Sequence, residues 1–310
     1  MGTQDIVTKE YMKDEYRFAD AFNYYLFHGE QVVQAENLKE VDPVELGIIL
    51  DGKDNESVQK IRDVLKNALL LTDDRCNYLL LGIENQSEVH FAMPVRNLIF
   101  DGLRYGEQVS RRAKERRKLK IVEDSAEFLS GFGRDDKIKP VITLVIYWKA
   151  GEWDGPRSLY DMFEPVDDRL KEYINDYKLH VIVPDEIDDF EKFRTELGVA
   201  FEFIAHSQQD GKMECLDRNS RFLAVTNETV HLLNVCTDSR IELNKEKGVV
   251  NMCKGIEDLK KRMRQEGCNI EFVNAIERIA KKTGGLKEAC DLYGTTVEHY
   301  QTVKSSLTVR

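Results

Sequence analysis

The sequence predicts a mixed α/β fold, a sheet flanked by helices, continued by a helical C-terminal tail. Three observations carry that expectation. Two nearly unbroken apolar runs, Asn77 to Ile83 and Val141 to Tyr147, have the length and composition of strands buried on both faces. Between them, after Pro94, the residues Val95, Leu98, Ile99, Leu103 and Val109 fall at helical spacing. Beyond about Val249 the chain turns charged and helical, with Phe272, Ile276, Ile279 and Ala280 on one stripe. The resulting order of helix, strand, strand, helix and strand is that of a mixed α/β domain.

Each element has its own local reason. Asp14 to Phe27 is expected to be the first helix, because Phe18, Phe22, Tyr25 and Leu26 form an apolar stripe suited to core packing. Glu36 to Asn55, ending in Asp51-Gly-Lys-Asp-Asn, reads as a loop. Strands are expected from Asp63 to Leu71 and from Asn77 to Ile83 around a Thr72-Asp-Asp-Arg75 turn, with the second strand central. Pro94 is well placed to open a long helix covering one sheet face. After the Val141 strand, Lys178 to Val183 reads as a further strand, and Phe190 to Phe203 returns to helical spacing. In the tail, Gly284-Gly285 breaks the charged helix. Two short helices, Leu286 to Tyr293 and Val297 to Lys304, then flank Gly294-Thr-Thr as in a small helical hairpin or a degenerate helix-turn-helix. Residues 1–248 are therefore expected to form the main domain, with its core in about 1–156, and 249–310 the tail.

Composition narrows the function classes. The chain has 310 residues with 42% hydrophobic and 33% charged side chains, enough for a sizeable core. Its longest apolar runs fall far short of a membrane span, and Met1-Gly-Thr-Gln-Asp lacks the basic-then-apolar layout of a secretory signal. The expectation is a cytoplasmic protein without membrane insertion. A net charge of −11 disfavours nonspecific coating of nucleic acid but leaves room for local basic surfaces. The six cysteines form no Cys-x-x-Cys pair and read as buried thiols, and the six histidines show no ligand spacing, so no zinc site is indicated. Neither a Gly-x-x-x-x-Gly-Lys loop nor a Gly-x-Ser-x-Gly elbow is present.

The segment Tyr78-Leu-Leu-Leu-Gly-Ile-Glu-Asn-Gln-Ser87 is the chemically informative one. An apolar strand ends at Glu84 and Gln86, which by alternation look the same way, while Asn85 looks the other. A carboxylate at such a position must be solvated, paired or bound to a cation. With Asp63 upstream, two acids and an amide can converge on one hard cation such as Mg²⁺. The bland alternative, in which Asp63 caps a turn and Glu84 pairs with an Arg or Lys, is the commoner fate of an arbitrary acid. Arg96, close to Glu84 in sequence, is suited to meet a phosphate or orient an acid. The run Arg111-Arg-Ala-Lys-Glu-Arg-Arg-Lys-Leu-Lys120 is either a phosphate-tracking surface, with Arg111, Arg112, Arg116 and Arg117 as contacts, or a helix end whose cations meet its dipole.

The combination of Arg62-Asp-Val-Leu-Lys66, Leu81-Gly-Ile-Glu-Asn-Gln-Ser87, Met93-Pro-Val-Arg96 and Pro140-Val-Ile-Thr-Leu-Val-Ile-Tyr147 closely resembles the recombination-promoting nuclease, or Rpn, family. That family carries a transposase label and belongs to the PD-(D/E)XK nuclease superfamily. The likeness runs from about Asp5 to Pro156, more loosely to about Val249, and Asp5-Ile-Val-Thr-Lys9 looks like the family's opening. It implies a restriction-endonuclease-like mixed sheet and metal-dependent DNA cleavage with Mg²⁺, or Mn²⁺ in its place. Asp63 then stands at the metal-binding Asp position, Glu84 at the (D/E) position and Gln86 where the superfamily usually has Lys. The family's common His between Glu and Gln is Asn85 here, which alternation would turn away from the site. Gln86 is the weightier departure: an amide can orient a water but is no base, so the proton acceptor stays unassigned. A further contribution from the first helix is typical of the superfamily, and Asp20 or Asn23 is the expected source. The competing expectations are a non-catalytic DNA-binding or regulatory module that keeps the fold, and a tail that drives homo-oligomerisation.

Overall fold

The computed structural model of the protein describes residues 2–41, 63–72, 75–121, 124–207, 216 and 219–308. Helix α1 (Thr3–Lys13) is followed directly by α2 (Glu15–Phe27), and Asp14 sets the corner by accepting the Arg17 N–H at 2.9 Å as the α2 cap. Strands β1 (Leu38–Glu40), β2 (Val64–Thr72) and β3 (Arg75–Gln86) run antiparallel to one another in order. Helix α3 (Met93–Leu119) and the short α4 (Ser125–Ser130) lead to β4 (Val141–Tyr147), parallel to β3. After α5 (Asp168–Lys171), β5 (His180–Ile182) adds a further parallel strand. The result is one mixed five-stranded sheet, β1-β2-β3-β4-β5, with β3 at its centre.

The remaining chain supplies α6 (Leu197–His206), a small β6 (Val225–Thr226) and β7 (Val249–Val250) pair, and α7 (Asn227–Thr237). It ends in α8 (Met252–Thr283), α9 (Leu286–Tyr293) and α10 (Val297–Thr308).

Strand alternation divides the core in two. Val64, Ala68, Leu81, Ile83, Leu144 and Ile146 project to one face and pack with Tyr11, Phe18, Phe22, Phe201 and Leu232 of the helices. Val145, Tyr147 and Val181 project to the other and pack with Met93 and Trp153. Lys66 lies fully buried on the first face; its ammonium donates to Glu15 at 2.8 Å and to the Lys13 carbonyl at 2.6 Å, which satisfies the charge and ties the α1–α2 corner to the sheet.

Several expectations shift. Leu38 to Glu40, placed in a loop by their turn-rich surroundings, are the edge strand β1, because Leu38 pairs with Ala68 and buries. The rest of that expected loop from Asp42, and Asp73-Asp74 of the expected turn, lie outside the described residues. Strand β3 continues past Ile83, so Glu84 and Gln86 are within it, paired in register with Val145 and Tyr147. The helix expected from Phe190 starts at Leu197, after a single turn at Phe190–Lys192. On α3 the apolar stripe does not face the sheet: Val95, Leu98 and Ile99 are 36%, 39% and 52% exposed, while Asn97, Phe100, Asp101 and Arg104 are buried. The reason is hydrogen bonding, since Asp101 accepts from Thr143 of β4 at 2.7 Å and from the Tyr177 hydroxyl at 2.5 Å. The cysteines are not uniformly buried: Cys290 is buried and Cys268 exposed, while Cys236 and Cys253 are intermediate. In the tail, core membership changes within α8, whose Met252, Ile256 and Leu259 belong to the main core and whose Val273 and Ile276 join Ala289, Cys290 and Tyr300 in a separate one.

Candidate functional site

The C-terminal ends of parallel strands are where open α/β sheets usually bind ligands, because crossing connections leave a crevice there. In this protein β3 and β4 end side by side at Gln86 and Tyr147, and α3 begins close by at Met93. Three local choices in the sequence build the place. The apolar run of β3 forces it to the sheet centre, the Ser87-to-Ala92 connection turns the chain, and Pro94 starts α3 so that Arg96 lies on its first turn.

Glu84 is completely buried. Arg96 reaches back to it, with the guanidinium donating to the carboxylate at 3.0 Å while its own side chain keeps 27% exposure. The same guanidinium sits 5.6 Å from the centre of the Phe100 ring, within cation–π range. Gln86 is half-buried one pleat further along the same face, and its main-chain carbonyl accepts the Trp148 N–H at 2.9 Å.

Asp63 stands just before β2, opposite the end of β3. Its carboxylate accepts two hydrogen bonds from Asn85, one from the main-chain N–H at 2.8 Å and one from the side-chain amide at 3.3 Å. Asp63 thus extends the β2–β3 ladder with a side chain. Asn85 in turn accepts the Trp148 indole N–H at 2.7 Å. Trp148 is held edge-on to Tyr11 of α1 at 6.2 Å and tilted against Phe201 of α6 at 5.3 Å. Burial pushes the Asp63 carboxyl above the usual aspartate value, against the Asn85 hydrogen bonds and the positive charges of Lys9 and Arg96, which pull it down.

The predicted site residues are therefore brought together unevenly. Asp63, Glu84, Gln86 and Arg96 meet at one end of the sheet, with Arg96 bonded to Glu84 and its charge also felt by Asp63. The hydrogen bonds of Asp63, however, join it to Asn85, the residue that alternation turned away from the site. Among the described residues no group of three or more His, Cys, Asp or Glu side chains is placed to hold a metal ion.

The expected first-helix contributors serve elsewhere. Asp20 accepts from the Arg194 N–H, the Thr195 N–H and the Thr195 hydroxyl at 2.6 to 3.0 Å, fastening the turn before α6. Asn23 accepts the Val32 and Val33 N–H groups at 3.1 and 2.7 Å and donates to the Val33 carbonyl at 2.9 Å. Both sit on α2, whereas Lys9, whose charge reaches Asp63, sits on α1. Lys9 is the residue the sequence reading missed, although Asp5-Ile-Val-Thr-Lys9 had marked the segment. Trp148 was also missed; its only local signal was its place directly after an apolar strand.

The basic run lies at the far end of α3. Arg111 follows Arg96 by fifteen residues, about 22 Å at 1.5 Å per residue. Three of the run's seven cations are paired nearby. Arg111 pairs with Glu107 at 3.0 Å, Arg112 with Asp136 at 2.9 Å and Glu115 at 3.3 Å, and Arg116 with Glu127 at 2.5 Å and Asp136 at 3.4 Å. Arg117 is exposed and borders a hollow lined by Ala113, Phe128 and Leu129. Arg116 thus anchors α4 to α3.

Comparison of the chain with family models, curated proteins and solved structures finds no match in any of the three. Among the described residues, no helix is long and apolar enough to cross a membrane.

Proposed function

We propose that the protein is a metal-dependent DNA endonuclease that hydrolyses phosphodiester bonds, with its site at the end of β3. The observation that carries this reading is the Glu84 carboxylate, fully buried at the end of the central strand and met by a cation from α3. Keeping a carboxylate there costs desolvation, which a structure without a use for it avoids by placing an apolar side chain instead. The likeness of the Asp63, Glu84 and Met93-to-Arg96 segments to the Rpn nucleases supplies the reaction class.

In chemical type, the oxygen donors suit a hard divalent ion. Carboxylates from Asp63 and Glu84 and the Gln86 amide oxygen stand at neighbouring strand ends, and Mg²⁺ takes such oxygens while keeping several waters. Bound there, Mg²⁺ or Mn²⁺ would supply charge for the transition state and acidify a coordinated water. The chain's own groups have distinct tasks. Glu84 and Asp63 provide negative charge, and Asn85 keeps Asp63 aimed along the strand end. Gln86 orients a water without exchanging a proton with it. Arg96 neutralises Glu84 and is a cation available to a phosphate oxygen.

Supercoiled-plasmid nicking tests the reading. Wild type with Mg²⁺ or Mn²⁺ is expected to nick, and Asp63→Ala and Glu84→Gln to lose more than about 100-fold in rate, on the scale of removing one transition-state-stabilising group. Equal rates in all three folded proteins would sink it. The Arg96 pairing favours a second reading, a non-catalytic module in which Glu84 serves only to seat α3. That reading gives no cleavage with any divalent ion.

A further inference from the structure

The C-terminal unit has its own core and is not used by the β3 site. Helices α9 and α10 are joined by three residues, Gly294 to Thr296, and both pack on the second half of α8 through Ala289, Cys290, Tyr300, Val273 and Ile276. Gly294 has φ +80°, a left-handed conformation that only glycine adopts cheaply, and its N–H and that of Thr295 close the end of α9 onto Cys290. The Thr296 hydroxyl accepts the His299 N–H at 3.1 Å and starts α10. Glu277 of α8 then accepts from the Tyr300 hydroxyl at 3.1 Å and from Lys304 at 2.6 Å, which fixes how α10 is rotated.

That rotation leaves Glu298, Gln301, Thr302 and Ser305 on the outside, all exposed and spaced i, i+3, i+4 and i+7. The outward face is polar throughout, with side chains that can exchange hydrogen bonds with base edges. Residues 272–308, the span of this core, carry five Lys and Arg against four Asp and Glu, and the positive charge is unevenly placed. Arg278, Lys281, Lys282 and Lys287 are exposed at the α8–α9 junction, and none of the four forms an ion pair among the described residues.

We infer that α9 and α10 form a helix-turn-helix that binds duplex DNA, with α10 entering the major groove and the four cations at the α8–α9 junction meeting the phosphate backbone. Two helices joined by a three-residue turn containing glycine, stacked on a third, are the build of that motif. Gln301 and Glu298 are the residues placed to read bases, as an amide pairs with adenine and a carboxylate accepts from cytosine. The inference makes no use of Asp63 or Glu84 and stands without cleavage.

The test is duplex binding by the full chain in excess chelator, followed by fluorescence anisotropy with a labelled 30-base-pair duplex library at two salt concentrations. Wild type is expected to bind, more weakly at the higher salt. The Lys281→Glu, Lys287→Glu double variant should bind at least about tenfold more weakly and with a shallower salt dependence, because phosphate contacts carry that slope. Gln301→Ala should change which library members are selected while the salt slope stays. Both sets of substitutions are on exposed side chains, and an unchanged urea midpoint confirms folding. Undiminished binding by the double variant would overturn the inference, as would no binding by wild type, or a loss confined to self-association on a sizing column. Because chelator removes any metal-dependent reaction, those outcomes leave the nuclease reading untouched.

Discussion

Asp63, just before β2, and Asn85 of β3 are joined by two hydrogen bonds at 2.8 and 3.3 Å, and through Asn85 the aspartate is tied to the Trp148 indole. Asn85 is therefore the hinge between the candidate site and the aromatic core. Asn85→Leu removes one donor to Asp63 and strands the buried Trp148 N–H. The expected cost is about 2 kcal/mol, the range for leaving a buried polar group unpaired, read as a lower urea midpoint. Loss of the amide also removes hydrogen bonding to the charged form, so the Asp63 carboxyl should titrate still higher, measurable by carbon-13 shifts of labelled aspartate. An Asn85→Leu protein of wild-type stability would show that the link carries no energy.

The Glu84 and Arg96 pair gives a second prediction. Arg96→Met leaves a fully buried carboxylate without this partner and should cost about 3 kcal/mol. Glu84→Gln alone should cost less. Combined, the two should fall short of additivity by about 1 to 3 kcal/mol in a double-mutant cycle, as for groups in direct contact. Strict additivity would mean that the contact does not contribute.

His180 gives a pH dependence. Burial in β5, beside the Tyr25 ring at 5.6 Å, holds the imidazole below its ordinary value of 6.5, with Asp101 opposing. The sign follows from linkage: the unfolded chain binds the proton more readily than the folded one. His180 therefore contributes stability that is present above about pH 6.5 and is lost as the pH falls through the lower, folded value. Urea midpoints measured from pH 8 to pH 5 should fall more steeply for wild type than for His180→Gln. Parallel curves would remove His180 as a source.

How far these relationships were legible depends on the range over which they are set. The strands at β3 and β4 follow from apolar runs that no exposed element tolerates, and the position of Glu84 at the end of one, with Arg96 twelve residues on, follows from the same local pattern. Gly284 and Gly294 mark helix ends for a reason carried by one residue each. The α3 stripe misled because periodicity reports only where apolar residues fall; it says nothing of Thr143 and Tyr177, whose donors draw Asp101 and its neighbours inward instead.

The sequence alone therefore determined α2, β2, β3, α3 and β4 in their order and the two acids at the strand ends, because each depends on neighbours a few residues apart. Elements α1, β1 and α4 were not legible in it. Tertiary structure decided which partner each polar group took. Asp20 is committed to Thr195, 175 residues away, and Trp148 reaches Asn85 across 63 residues. Arg116 serves α4 although it sits in a basic run. A buried donor or acceptor must be satisfied by whatever the fold brings beside it, and that choice is made only when distant segments meet.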